Sequence, residues 1–289
     1  MQPIEQTPEN IEKVGRTASA ERIFAVLPAQ RLTWAVGAVH GEAERLRDLH
    51  EQLAHAVGPH DNLVYLGNFL GHGSDIRGAV HNLLLFRRAL MAERAFSGTD
   101  AGDWGEIVYL RGRQEEMWQK LLQMQFAPNP REVLEWMLSH GVAETLMAYG
   151  GAIEDARKAA AMGAVALSQW TNRLRAAMRT LDGHDRLMTV LRRAALTKDE
   201  SLLLVSAGID AERPLSEQAD MFWWGHRNFA TMESEYGNFR CVVRGYDDHH
   251  QGPWFKPWAA SIDGGCGFGG SLIAACFDHH GDCVDTIEA

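Results

Sequence analysis

A series of short apolar runs, each closed by a glycine, constrains this chain more than any other feature. In order they are Leu32–Val36 before Gly37, Leu63–Leu66 before Gly67, Ile107–Leu110 before Gly112, Leu202–Val205 before Gly208, and Cys241–Val243 before Gly245. Short runs rich in Val, Leu and Ile and bounded by turn residues read as buried strands. Between the first three lie helix-like stretches, Ala43–Val57 and Val80–Ala95. Parallel strands need such crossovers, so the alternation predicts βαβ units in an α/β sheet. In open α/β sheets ligands sit beyond the carboxyl ends of the strands. Every one of these glycine turns falls at such an end, so the layout predicts one shared site built from them.

From about Gln114 to Lys198 the pattern changes to helix, and Ile153–Leu181 is rich in Ala with Arg and Lys interspersed, which favours helix by propensity. A helical insertion is expected at about 114–198. The C-terminal part returns to strands at Ala259–Ile262, Ser271–Phe277 and Cys283–Ile287, with Asp278–Asp282 as the hairpin turn. Residues 1–20 are rich in Glu, Gln, Pro and Thr without a period, the pattern of a flexible arm. Residues 21–289 are expected to form a single domain around the insertion.

Hydrophobic residues make up 46% and charged residues 23% of the 289, the balance of a globular protein with a substantial core. No apolar run approaches the length that crosses a bilayer, and the polar, acidic first residues lack the pattern of a signal peptide. Cys241, Cys266, Cys276 and Cys283 form no CxxC pair and are too few for a disulfide scaffold. The expected compartment is the cytoplasm. A net charge of −10 without a basic stripe argues against nucleic acid or an anionic membrane as partner.

The turns themselves carry a family pattern. Gly37-Ala38-Val39-His40-Gly41, Gly67-Asn68-Phe69-Leu70-Gly71-His72-Gly73 and Arg111-Gly112-Arg113-Gln114-Glu115 are followed by Val205-Ser206-Ala207-Gly208, Arg244-Gly245-Tyr246 and Ile262-Asp263-Gly264-Gly265. In this order they resemble GDxHG, GDxxDRG, RGNHE, VHAG, HGH and IDTG, the segments of the serine/threonine protein phosphatase branch of the calcineurin-like metallophosphoesterases. Ile209–Gln218 is similar to the bacterial members. The resemblance runs from about Leu32 to Ile287 and implies an αββα sandwich: two mixed β-sheets flanked by helices, with a helical insertion.

The family hydrolyses phosphate esters with two divalent metals, such as manganese or an iron–zinc pair, which clamp the phosphate and activate a bridging water. Carried over position by position, its ligands fall on Ala38, His40, Asn68, Arg113, Ser206 and Tyr246. Ala38 has no donor atom, Asn68 lacks the charge that bridges two cations, and Arg113 is itself a cation. The leaving-group acid falls on Gln114, its orienting carboxylate on Gly71, and a phosphate-gripping arginine on His72. No metal cofactor and no catalytic residue are therefore expected, and the chain reads as a pseudophosphatase.

Several of these residues allow a second reading. His40 is expected to be a hydrogen-bonded structural histidine rather than a ligand. Arg113 and Arg244, with His40, His72 and Arg227, form a candidate anion pocket in which guanidinium groups replace the metals. The alternative for the two arginines is an internal salt bridge to Asp247, Glu115 or Asp263. The His-containing turns Asp247–His250 and Asp278–Cys283 are expected to be solvated rather than metal-binding, and the glycines of Gly264–Gly270 to be structural. Trp254, Phe255 and Trp258 lie in a loop fixed by Pro253 and Pro257, either a surface for a protein partner or a cover for the sheet edge.

The leading functional expectation is thus a non-catalytic protein that binds a protein partner, including a phosphorylated one. The runner-up is a phosphoesterase with a rebuilt or single-metal site at His40, Asn68 and His72. A third reading is a structural subunit that uses its acidic surface and the Trp254–Trp258 loop.

Overall fold

The computed structural model describes residues 23–225 and 227–289, with only the backbone at Arg227. The arm expected at residues 1–20 lies outside the described residues.

Eleven strands are described, in two mixed sheets. The five-stranded sheet has the order β11-β10-β2-β3-β4, built from β2 (Thr33–Val36), β3 (Asn62–Tyr65), β4 (Ile107–Tyr109), β10 (Ile273–Phe277) and β11 (Cys283–Glu288). The six-stranded sheet has the order β1-β5-β6-β7-β9-β8. Its strands are β1 (Phe24–Leu27), β5 (Ala194–Thr197), β6 (Leu202–Val205), β7 (Cys241–Arg244), β8 (Trp254–Phe255) and β9 (Ala259–Ser261). Strands β2, β3 and β4 run parallel, as do β6, β7 and β9. The hairpin of β10 and β11 closes at Asp278, which receives the Gly281 amide on its carbonyl and the His280 and Asp282 amides on its carboxylate.

The apolar runs are continuous because both faces of each strand are covered. In β2, Ala35 faces the opposite sheet while Trp34 and Val36 face helices; in β6, Leu202 and Leu204 point between the sheets and Leu203 and Val205 point away. This period of two separates three apolar layers. The middle layer lies between the sheets, and includes Val64, Leu66, Val243 and Ile273. A second packs the five-stranded sheet against α1 (Ala43–Ala56), α2 (Ile76–Phe96) and the helices that follow. The third packs the six-stranded sheet under Phe222, Trp223 and Phe229.

The helical region comprises α3 (Arg113–Leu121), α4 (Pro130–Met137), α5 (Ala143–Ala148), α6 (Ile153–Met162), α7 (Ala164–Arg179) and α8 (His184–Val190), with a short α9 (Met221–Trp224) later in the chain. Two expectations need correction. The Ala-rich stretch is two helices, broken at Gly163 with φ +95°. Helix also ends at Val190, and Ala194–Thr197 is strand β5, pairing parallel with β1 and antiparallel with β6. Its four residues are all buried, so tertiary pairing overrides the helical propensity of alanine.

Candidate functional site

All six glycine-bearing turns lie just beyond the carboxyl ends of β2, β3, β4, β6, β7 and β9, and they meet there. The tightest approach joins the turns after β3 and β4. Gly67 has φ +90°, and a Cβ on it would stand 2.5 Å from the Gly112 nitrogen, a position open only to glycine. Glu115, in the first turn of α3, fastens the two turns together. Its buried carboxylate accepts hydrogen bonds from the amides of Asn68 (2.8 Å), Phe69 (2.7 Å), Leu70 (3.1 Å) and Gly112 (2.8 Å). Burial raises its pKa, and these four bonds oppose the rise. The carboxylate is thereby committed to the backbone.

Tyr246 stands at the centre of the positions assigned to metal ligands. It packs with Ala38 and Ala207 in a small apolar cluster, its ring lies edge-on to His40 with centroids 5.4 Å apart, and its amide bonds the Ser206 carbonyl at 2.9 Å. The Arg113 guanidinium lies 4.9 Å from the Tyr246 ring centroid and 5.1 Å from that of Trp224. Asn68 adjoins on the other side: its carbonyl accepts from the His40 amide at 2.6 Å and its Oδ1 from the Gln114 amide at 3.0 Å. The structure therefore brings Ala38, His40, Asn68, Arg113, Ser206 and Tyr246 into one cluster.

Arg113 donates to both carboxylate oxygens of Asp248, at 2.5 and 2.9 Å, while Tyr246 donates to the same carboxylate at 3.1 Å. Burial works against the charge on Arg113, but the paired carboxylate prevails and its pKa is raised; Asp248, opposed by burial in the same way, is held below the usual carboxylate range. Arg244 is paired as well, to Asp247 at 2.6 Å and to the Ser261 hydroxyl at 3.1 Å, under the rings of Phe229 and Trp254. Both arginines thus hold carboxylates of this chain, and the side chain of Arg227 lies outside what the structure describes. The turn at Asp247–His250, expected to be solvated, is instead engaged internally. Asp247 and Asp248 take the two arginines, and His250 Nδ1 meets Asp263 at 2.8 Å. The reason is Arg113, which folding brings to Asp248 across 135 residues, together with Arg244, three residues before Asp247.

His40 also departs from expectation. It is 1% exposed, and neither ring nitrogen has a hydrogen-bond partner among the described residues. It is held by rings rather than by polar bonds: His72, Tyr246 and Phe268 surround it at centroid distances of 5.2 to 5.4 Å. Burial, then the neighbouring His72, His250 and Arg113, drive its pKa well below the usual histidine range, so the ring is neutral. Gln114 bonds the His140 carbonyl at 2.8 Å and lies 3.3 Å from His72 Nε2. That carbonyl is turned toward Gln114 where His140 and Gly141 break the helical path between α4 and α5. Gly71 leaves room for Gln114, whose Cδ would stand 2.7 Å from an added Cβ.

Phe268 escaped the sequence reading because it lies in the Gly264–Gly270 run. It covers the cluster, with ring centroids 4.1 Å from His250 and 4.5 Å from His72. An aromatic flanked by glycines on both sides was the available signal. Trp254 folds over the sheet edge, 6.0 Å from Phe229 and beneath Lys256; Phe255 is exposed and Trp258 half-buried. Phe255 and Trp258 do not join the turn cluster, and Trp254 reaches toward it only by covering Arg244.

No group of three or more His, Cys, Asp or Glu side chains is placed to hold a metal ion among the described residues. No protein-family model and no curated protein matches the chain. Its fold is similar to a crystal structure described as a candidate diadenosine tetraphosphatase, 18% identical, with 92% of this chain and 98% of that one covered at a TM-score of 0.52. A Saccharomyces cerevisiae protein serine/threonine phosphatase similar to human phosphatase PP5 aligns more loosely, at 15% identity over 88% and 76% of the two chains with a TM-score of 0.44. A cold-active protein-tyrosine phosphatase of a psychrophilic Shewanella does so at 12% over 93% and 85%, with a TM-score of 0.47. The two mixed sheets with flanking helices match the calcineurin-like phosphoesterase fold.

Proposed function

We propose that this chain uses a phosphatase fold for binding a protein partner and does not hydrolyse phosphate esters. The observation that carries the reading is the set of groups gathered around Tyr246. The six positions that the resemblance assigns to metals hold a methyl, an imidazole, an amide, a guanidinium, a hydroxyl and a phenol. Two neighbouring dications need anionic oxygen between them, and none of these groups supplies it. The nearby carboxylates are committed: Glu115 to four amides, Asp248 to Arg113, Asp247 to Arg244, and Asp263 to His250. The residues therefore do not fit a two-metal centre, and no hydrolytic step is derived through one.

Metal analysis of the purified protein, beside a phosphatase assay with added manganese, tests this. Near-background metal and turnover are expected; two bound metals or robust turnover would overturn it. A phosphorylated partner would engage the cluster only by displacing Asp248 from Arg113. If millimolar phosphate and phosphopeptides give no thermal stabilisation, the partner is recognised elsewhere on the surface.

One observation favours a second reading. The unpartnered nitrogens of His40 are the kind of neutral donor a single transition metal takes. Against it, Asn68 Oδ1 already receives the Gln114 amide. One equivalent of zinc that binds the native chain but not His40→Ala would favour this reading.

A further inference from the structure

Away from the turn cluster, a cleft of about 670 Å³ opens where the two sheets end on the same side. It is lined by β1, by the strand-edge residues Glu106–Tyr109, and by parts of α2 and α8. Its size is that of clefts that take ligands. We propose that it docks an extended, acidic peptide segment of a partner protein, added as a strand to the edge of β1 that no described strand covers. This goes beyond the non-catalytic reading and does not depend on it.

The backbone argument concerns how sheet edges are protected. A free strand edge presents unpaired amides and carbonyls and is normally blunted by charge, proline or brevity. Three of the four edges are protected in this way. Strand β8 is two residues long between Pro253 and Pro257, β4 has only three residues, and β11 carries Asp285 and Glu288. Strand β1 differs. Its sequence is Phe-Ala-Val-Leu, its pairing among the described residues is with β5 alone, and Val26 is 52% exposed. An extended peptide that pairs with such an edge gains main-chain hydrogen bonds and covers the apolar side chain.

The charge argument selects the occupant. On a chain of net charge −10, the cleft is lined by Arg87, Arg88 and Arg186, and by Arg192, which already has a partner, against Glu106 and Asp182. Arg88 is paired with Asp182 at 2.6 Å. Arg87 and Arg186 are exposed and have no ion-pair partner among the described residues. Tyr109, whose hydroxyl is buried without a hydrogen-bond partner, also lines the cleft. Arginines placed on helices facing an uncharged strand attract a segment whose alternate side chains are carboxylates.

The test is fluorescence anisotropy with a short labelled peptide alternating glutamate and valine, added to the full chain. Saturable binding is expected, weakened by salt. It should fall roughly tenfold or more in Arg87→Glu/Arg186→Glu, a loss of about 1.4 kcal/mol, with an unchanged unfolding midpoint showing that the variant folds. Two control peptides separate charge from backbone pairing: lysine in place of glutamate, and N-methylation at alternate residues. Both should fail to bind. Absent binding, equal binding to the double variant, or full binding of the N-methylated peptide would overturn the proposal. So would a concentration-dependent dimer abolished by the same substitutions, because it would assign the cleft to a second copy of the chain.

Discussion

Arg113 grips both carboxylate oxygens of Asp248 across 135 residues of sequence, and with them it joins the start of α3 to the turn after β7. The guanidinium stands where the family resemblance expects a metal ligand. The pair also bridges the two sheets, since α3 follows a strand of one and Asp248 a strand of the other.

Breaking that pair is expected to weaken the fold moderately. Arg113→Ala should lower stability by about 1–2 kcal/mol, because Asp248 is half-exposed and water replaces part of the interaction. A double-mutant cycle with Asp248→Ala, read by urea unfolding, should return a coupling of about the same size. Additive single losses would show that the pair contributes nothing in solution.

Gly67→Ala should be far more damaging than its size suggests. The new methyl would meet the Gly112 backbone at 2.5 Å with φ at +90°, and neither turn can retreat from the Glu115 clamp. A loss of about 3 kcal/mol or more is expected. Gly150→Ala is the control: its φ is +79° with nothing within 4 Å, so about 1 kcal/mol of backbone strain is expected. Equal unfolding midpoints for the two variants would contradict the account of the clamped turns.

His40→Leu should leave stability unchanged or raise it by about 1 kcal/mol, because it removes two buried nitrogens that lack protein partners. Both residues must adopt the same positive φ of 50°. A loss above about 2 kcal/mol would mean that the imidazole is bonded to something held in the pocket in solution.

Stability should fall as pH drops from neutrality toward 4. Burial lowers the pKa of His50 to about 3 and, with nearby His81 and Arg77, that of His184 to about 4. Each titrates at about 6.5 when unfolded. The unfolded chain therefore binds more protons between these values, so stability is complete above about 6.5 and is lost progressively below it. His50, stacked on Phe86 and bonded to the Tyr65 hydroxyl at 2.8 Å, should contribute on the order of several kcal/mol. His50→Gln should flatten the pH dependence of the unfolding midpoint, and an unchanged slope would assign the effect elsewhere.

Most of the architecture is legible in the chain because its strands are buried on both faces and end on glycines with steric reasons to be there. Gly67 and Gly112 mark the two turns that touch. Strand β1 is hidden in the sequence because it is short and follows an aperiodic stretch, and β5 because alanine alone does not distinguish strand from helix. In the site, the residue types were readable but their pairing was not. Asp248 looks like part of a polar turn until folding brings Arg113 to it, and Phe268 looks like filler among glycines until it lies over His40 and His72. Those contacts depend on sequence separations that no local pattern encodes.

The Glu115 clamp separates the frame of this pocket from its lining. Because one carboxylate holds the turns after β3 and β4 through their backbone amides, the side chains of those two turns are not alone in holding them in place. Asn68 therefore sits on backbone that Glu115 fixes independently of the amide side chain it carries. A substitution there alters the lining of the pocket while the frame stays held.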